Sequence, residues 1–217
     1  MLKLHGKIKS ANINFIEKKL FYVTTNKNIP DIKKNKYAFL KKDNDLPFGF
    51  GAYLVSNDLE VNDSNTFVLN KEYEYLDDGD IIRLDGQGSY ACLFRKNARY
   101  NTLLLTEQCN HYCLMCSQPP KKHDDSWLLD QANNLINMIP KDTAWIGFSG
   151  GEPTLYGDGF TKLLRKTKQA LPNTGLDVLT NGRAFADKNF SQDIADVDHP
   201  NCTFGIPLYS HDPVRHN

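Results

Sequence analysis

Leu103-Leu104-Leu105-Thr106-Glu107-Gln108-Cys109-Asn110-His111-Tyr112-Cys113-Leu114-Met115-Cys116 runs from an apolar strand candidate straight into a cluster of cysteines. The spacing is C-x3-C-x2-C, three thiols in one short loop. Thiolates select zinc, copper(I) or iron–sulfur centres. Tetrahedral zinc and a fully ligated iron–sulfur cluster each take four protein ligands. A loop that supplies three leaves one metal position open to another molecule. Structural zinc usually arrives through cysteine pairs, the second a dozen or more residues from the first. This chain has no second pair, although His111, His123, Cys92 or Cys202 could complete a zinc site. Cys92 and Cys202 stand in apolar strand contexts and read as buried thiols rather than ligands.

Downstream of the loop the pattern repeats as strand, loop, helix. Residues 102–106 form the first strand. Asp124, Asp125 or Ser126 is placed to cap a helix that presents Leu128, Ala132, Leu135, Ile136 and Ile139 on one face and ends at Pro140. A second strand at 144–148 runs into Ser149-Gly150-Gly151-Glu152-Pro153. A helix from about Asp158 follows, with Phe160, Leu163, Leu164, Thr167 and Leu171 inward and Pro172 as its stop. A third strand at 176–179 leads into Thr180-Asn181-Gly182-Arg183, and a weaker helix then turns Phe190, Ile194 and Val197 inward. Residues 203–206 make a fourth strand. Strands alternating with amphipathic helices mean βα units on a parallel sheet, whose ligands gather at the carboxyl ends of the strands. The cysteine loop, the Gly-Gly-Glu-Pro turn and the Thr-Asn-Gly turn all follow strands, so all three are expected on one rim. Two glycines allow close backbone approach there, and Glu152 offers a carboxylate to a cationic group.

Upstream of about residue 98 the texture differs. Short alternating segments at 13–16, 20–24, 52–55 and 66–69 are rich in aromatic and β-branched residues. Turn-forming stretches at 25–30, 43–47 and 62–65 separate them. Ile81-Ile82-Arg83-Leu84 and Tyr90-Ala91-Cys92-Leu93-Phe94, joined by Asp85-Gly86-Gln87-Gly88, predict a hairpin. The expected organisation is a small β-rich domain over 1–98, with no chemistry visible in it, followed by an α/β domain over 99–217.

Composition excludes more than it assigns. Acidic and basic residues balance at 26 each, so neither a nucleic-acid surface nor an acidic tail is indicated. No stretch approaches a membrane span, and no signal-peptide run opens the chain. Five cysteines, three of them clustered, fit reduced thiols in a cytoplasmic protein.

The cysteine loop after the first strand, with Gly-Gly-Glu-Pro after the second, resembles the radical S-adenosylmethionine superfamily. The resemblance implies that Cys109, Cys113 and Cys116 hold a [4Fe-4S] cluster whose fourth iron is chelated by S-adenosylmethionine. Gly150, Gly151 and Glu152 would meet the methionine amino group, and Pro153 beside them is a further cofactor-binding candidate. Met115 stands where the family often places an aromatic beside the adenine, and Thr180 and Asn181 are further cofactor-contact candidates. The phrase 103–120, Val178-Leu179-Thr180-Asn181-Gly182-Arg183 and Gly205-Ile206-Pro207-Leu208-Tyr209-Ser210 are more closely similar to His-Xaa-Ser system maturases of the HxsC type. That likeness implies a peptide or small protein substrate bearing His-Xaa-Ser repeats, an electron donor for the cluster and a second maturase subunit. The implied chemistry is reductive cleavage of S-adenosylmethionine to a 5′-deoxyadenosyl radical, which takes a hydrogen atom from the substrate. No residue is assigned as a protein acid, base or nucleophile.

The superfamily core is a barrel of six βα units, and about four are legible after residue 100. The fold class expected is therefore a small β-rich domain followed by a partial (β/α) barrel, truncated after its fourth strand. Two other readings stand beside this one. The chain is an inactive truncated fragment that binds a partner, or a zinc-stabilised binding module.

Overall fold

The computed structural model describes residues 3–42, 46–56, 65–117 and 119–212. The turn-rich stretches 43–45 and 62–64, Gln118 and the end 213–217 lie outside the described residues. The chain divides into two compact units, Met1–Ala98 and Arg99–Asn217.

The first unit is one mixed sheet. Its strands are β1 (His5–Lys7), β2 (Lys9–Ala11), β3 (Lys19–Thr24), β4 (Tyr37–Leu40), β5 (Ala52–Val55), β6 (Thr66–Val68), β7 (Ile81–Leu84) and β8 (Ser89–Phe94), with helix α1 (Asp31–Lys34) between β3 and β4. They lie in the order β1-β8-β7-β3-β4-β5-β6-β2. β1 and β2 hold opposite edges although Ile8 alone separates them in the chain, so the sheet is nearly closed. Alternate residues fill its inside: Phe21 and Val23, Ala38 and Leu40, Ala52 and Leu54, Phe67, Ile82 and Leu84, Tyr90 and Cys92. This is the period-two pattern of strands buried on one face. Phe39, Phe50 and Tyr53 form a smaller cluster on the outside, where Phe39 and Tyr53 are cross-strand partners.

The predicted hairpin is present as β7 and β8, with register Arg83↔Ala91 and Leu84↔Tyr90. Asp85 closes its turn by accepting the Gln87 and Ser89 amides at 2.9 and 2.8 Å. Burial pushes the Asp85 carboxyl up, but these donors outweigh it and hold it below the ordinary range. The strand expected at 13–16 does not form. Ile16 is 84% exposed, while Phe15 is buried against Phe21 and Phe67, with ring centroids 5.9 and 6.2 Å away. One aromatic plug, rather than ladder pairing, fixes that segment. β3 to β6 run parallel to one another. The sequence gives no sign of this, because parallel neighbours depend on crossovers rather than on a tight turn.

The second unit is a βα series: β9 (Asn101–Thr106), α2 (Trp127–Ile136), β10 (Trp145–Gly150), α3 (Asp158–Ala170), β11 (Gly175–Leu179), α4 (Lys188–Val197) and β12 (Cys202–Gly205). All four strands are parallel and adjacent in chain order. Leu103, Leu105, Ile146, Phe148, Leu176 and Val178 are buried at alternate strand positions, and Leu128, Leu135, Phe160, Leu163 and Leu164 of the helices are buried with them. Side chains of the other face, such as Thr102, Leu104, Leu179 and Thr203, are exposed. Helix α2 stops at Ile136 rather than at Pro140, and the Met138 and Ile139 amides turn back onto the Leu135 carbonyl at 2.8 and 3.1 Å. Ile139 stays buried from outside the helix. On α4, Val197 is buried, while Phe190 and Ile194 are half-buried. Phe185 bridges Phe190 and Phe204 edge-on at 5.5 and 5.1 Å. No helix among the described residues is long and apolar enough to cross a membrane.

Candidate functional site

The segments after β9, β10, β11 and β12 meet around a cleft of about 510 Å³. The cysteine loop supplies Cys109, His111, Cys113 and Cys116 to its wall, and the turn after β10 supplies Gly150 and Gly151. The turn after β11 adds Thr180 and Asn181, and Gly205 to Pro207 close the far side. The volume falls within the about 300–1,000 Å³ of small-molecule sites. Cys109 and Cys113 are half-buried and Cys116 is exposed. The Cys116 amide donates to the Cys113 carbonyl at 3.0 Å, which bends the loop between its last two thiols. The His111 amide donates to Cys109 Sγ at 3.3 Å. Such N–H contacts to a ligand sulfur set its charge density and hence tune a bound metal centre.

Both glycines are fixed by proximity. A Cβ on Gly150 would stand 2.3 Å from the Thr106 carbonyl oxygen, and one on Gly151 would stand 2.1 Å from that of Gln108. The Gly151 amide donates to Thr106 O and the Glu152 amide to Gln108 O, each at 2.8 Å. The turn after β10 is thus stitched to the first residues of the cysteine loop, and a side chain at either glycine would part them.

Glu152 is fully buried. Its Oε1 accepts the Thr154 amide at 3.0 Å, the Thr154 hydroxyl at 2.6 Å and the Thr180 hydroxyl at 2.7 Å. Its Oε2 accepts the Asn181 amide at 2.6 Å. Asn181 Nδ2 in turn donates to Asn110 Oδ1 at 2.7 Å. A single carboxylate therefore joins the turns after β10 and β11, and Asn181 passes the connection to the cysteine loop. The cleft meets the glycines, Thr180 and Asn181, while the Glu152 side chain lies behind them. Pro153 is buried at the start of the 3-10 turn Pro153–Tyr156 and does not line the cleft. Met115, at 61% exposed, also lies outside its wall.

Asp125 has a role that sequence reasoning missed. Read as one of three candidate helix caps, it instead lies buried beneath the loop. The cap-like contact belongs to Asp124, whose Oδ1 accepts the Ser126 amide at 3.0 Å. Asp125 accepts the Thr106 hydroxyl at 3.0 and 3.1 Å, the Glu107 amide at 2.5 Å and Gln108 Nε2 at 3.2 Å. The Tyr156 hydroxyl lies 3.3 Å from Asp125 Oδ1 and 3.1 Å from the Leu105 carbonyl. Burial, followed by this carboxylate's charge, raises the Tyr156 phenol despite a countering bond from Thr106. Three cap residues in a row, where a helix needs one, was the signal available.

Glu107, His123 and Asp125 form the group of His, Cys, Asp and Glu residues, among those described, whose ligand atoms all lie within 4.8 Å of one another. The two carboxylates are already engaged, Glu107 by Lys121 and Asp125 by the donors above, and His123 Nε2 lies 3.5 Å from Glu107. The three thiols of the loop are not such a group. The remaining cysteines are poor ligands. Burial, and then the nearby Asp80 charge, pushes the Cys92 thiol up to about 12. Burial, with Asp177 adding to it, pushes Cys202 up to about 11.

No protein-family model matches the chain, and no curated protein matches it. Two solved structures resemble it in part. The crystal structure of selenomethionine BtrN in an open conformation is 19% identical, with a TM-score of 0.40, over 57% of this chain and 56% of that one. The crystal structure of BtrN in complex with AdoMet and 2-DOIA is also 19% identical, with a TM-score of 0.40, over 56% of this chain and 51% of that one. The match spans about half the length of those chains.

Proposed function

We propose that this chain is a radical S-adenosylmethionine protein in which Cys109, Cys113 and Cys116 hold a [4Fe-4S] cluster. The observation that carries the reading is the meeting of three thiols, two backbone-exposing glycines and the Thr180-Asn181 turn around one cleft, at the carboxyl ends of parallel strands. The donor set fits the group: three soft ligands leave one iron for a chelating molecule, and the cleft offers room beside them. When bound, the cluster and S-adenosylmethionine would supply one-electron cleavage and hydrogen-atom abstraction. The chain's own part is positional. Gly150 and Gly151 bring the β10 turn against the cluster loop, and Thr180 and Asn181 form the opposite wall, braced by Glu152. The four parallel strands and the three helices between them correspond in this reading to part of a (β/α) barrel.

The finer reading is maturation of a peptide or small protein bearing His-Xaa-Ser repeats, in the cytoplasm, with an electron donor and a second maturase subunit. It rests on the phrases 103–120, 178–183 and 205–210. A second reading has one observation in its favour. His111 lines the cleft with the three cysteines, a Cys3His set that suits structural zinc. Anaerobic reconstitution with iron and sulfide separates them. About four irons per chain, lost when any of the three cysteines becomes alanine, support the cluster. One tightly held zinc that requires His111 overturns it. Release of 5′-deoxyadenosine from S-adenosylmethionine by the reduced protein then tests the chemistry.

A further inference from the structure

We infer that Asp125 is the positioning residue of the cysteine loop, clasping its two ends so that the thiols face the cleft before a metal is bound. Its relevance to the cluster rests on the function proposed above; the clasp itself rests on geometry alone. The loop leaves β9 at Thr106 and re-enters regular structure at α2, with all three cysteines between. A connection of that length has many conformations, and ordering it is costly unless its base is closed.

Asp125, 1% exposed, sits at the exit end, and its carboxylate is bound by three consecutive residues at the entry end, Thr106, Glu107 and Gln108. Hydrogen bonds to a buried charge are the strong kind. Further contacts close the same base: Gln108 Nε2 donates to His123 O at 3.0 Å, and the Lys121 amide to Glu107 O at 3.0 Å. The carbonyls of Thr106 and Gln108 carry the turn after β10. Asp125 thereby sets the register of the cysteine loop and of the two glycines together, without itself lining the cleft. Asparagine at this position would keep the shape and lose the charge, and its amide would point donors at donors.

The first readout needs no metal. In metal-free protein, Asp125→Asn is expected to raise the alkylation rates of the half-buried Cys109 and Cys113, and the amide exchange of 109–117, by about tenfold, the effect of one lost charge-assisted hydrogen bond. Exchange in the buried strands β10 and β11 serves as the control that a general loss of structure would move. Thr106→Ser, which retains the hydroxyl, should behave like the parent, and Thr106→Val should reproduce the loosened loop. After reconstitution, Asp125→Asn should lose iron to a chelator about tenfold faster. Unchanged alkylation and exchange in the folded variant would overturn the clasp. Should Asp125→Asn not fold, Thr106→Val decides on the same readouts, with unchanged rates again overturning the proposal. The two readings fail separately. A parent protein that takes up no cluster while Asp125→Asn still loosens the metal-free loop overturns the function and leaves the clasp. A three-cysteine cluster whose stability and loop exchange ignore Asp125 and Thr106 does the reverse.

Discussion

The two units differ in what their buried carboxylates do. The first closes a mixed sheet around one continuous apolar interior, where Phe67, Leu54 and Ile82 are fully buried. The second keeps its apolar residues between sheet and helices and orders its rim with buried carboxylates. Glu152 and Asp125 together tie down the segments after β9, β10 and β11. Apolar burial is non-directional and gives stability without aiming any side chain. A charged acceptor with several fixed donors gives direction, at a large cost if one partner is removed. The first unit also holds buried carboxylates, Asp80 and Asp85, on backbone amides, but in the second Glu152 and Asp125 join separate segments around one cleft, as a preorganised site requires.

Deleting part of the closed interior should have the largest effect. Phe67→Ala is expected to destabilise the first unit by about 3–5 kcal/mol, read as lost exchange protection in β3 to β8 and a lower urea midpoint. Equal protection before and after would mean that the interior is not one cooperative core. Next comes Glu152→Gln, expected to cost about 2–3 kcal/mol through donors left facing an amide, and to release the amides of Asn181 and Thr154. If these amides exchange at the parent rate, the rim is not held by Glu152.

Alkaline titration sharpens the comparison further. The folded-state pKa of Cys92, at about 12, stands above the 9.0 of a free thiol. Its contribution is therefore complete below pH 9 and is lost as pH rises from there toward 12. The slope is about 1.4 kcal/mol per pH unit for one proton. Tyr75, also raised to about 12 chiefly by burial, steepens the same limb. Cys92→Ala should flatten it in a pH series of urea melts. His199 of the second unit shifts the other way: burial, then Lys168, lowers it. Its contribution is present above the free-histidine value of 6.5 and is lost as pH falls below it. The smallest effect on stability should come from Cys113→Ala, within about 0.5 kcal/mol because the thiol is only half-buried. In the proposed function it would nonetheless abolish iron uptake. A large loss of stability there would mark the thiol as packing rather than ligand.

Local pattern carried the sequence reading a long way in the second unit. The spacing of Leu128, Ala132 and Leu135, and of Phe160, Leu163 and Leu164, gave helices because apolar recurrence at helical period is a property of adjacent residues. The β7–β8 hairpin was legible for the same reason. The segment 13–16 was misread because alternating apolar residues carry the same local signal whether a ladder pairs them or one ring plugs a core. The thiol loop, the Gly-Gly turn and the Thr-Asn turn were placed on one rim by topology, since loops following parallel strands leave the sheet at the same edge.

The sequence by itself determined the thiols, their spacing and, in the second unit, the order of strands and helices, all of which depend on chemistry within a few residues. Only the tertiary structure decided that β3 to β6 run parallel in a nearly closed sheet, that Glu152 turns inward behind the glycines, and that Asp125 is a clasp rather than a helix cap. The donors on those carboxylates come from up to 31 positions away in the chain. A carboxylate's role is fixed by its burial and by the donors that reach it, and neither is set until distant segments pack.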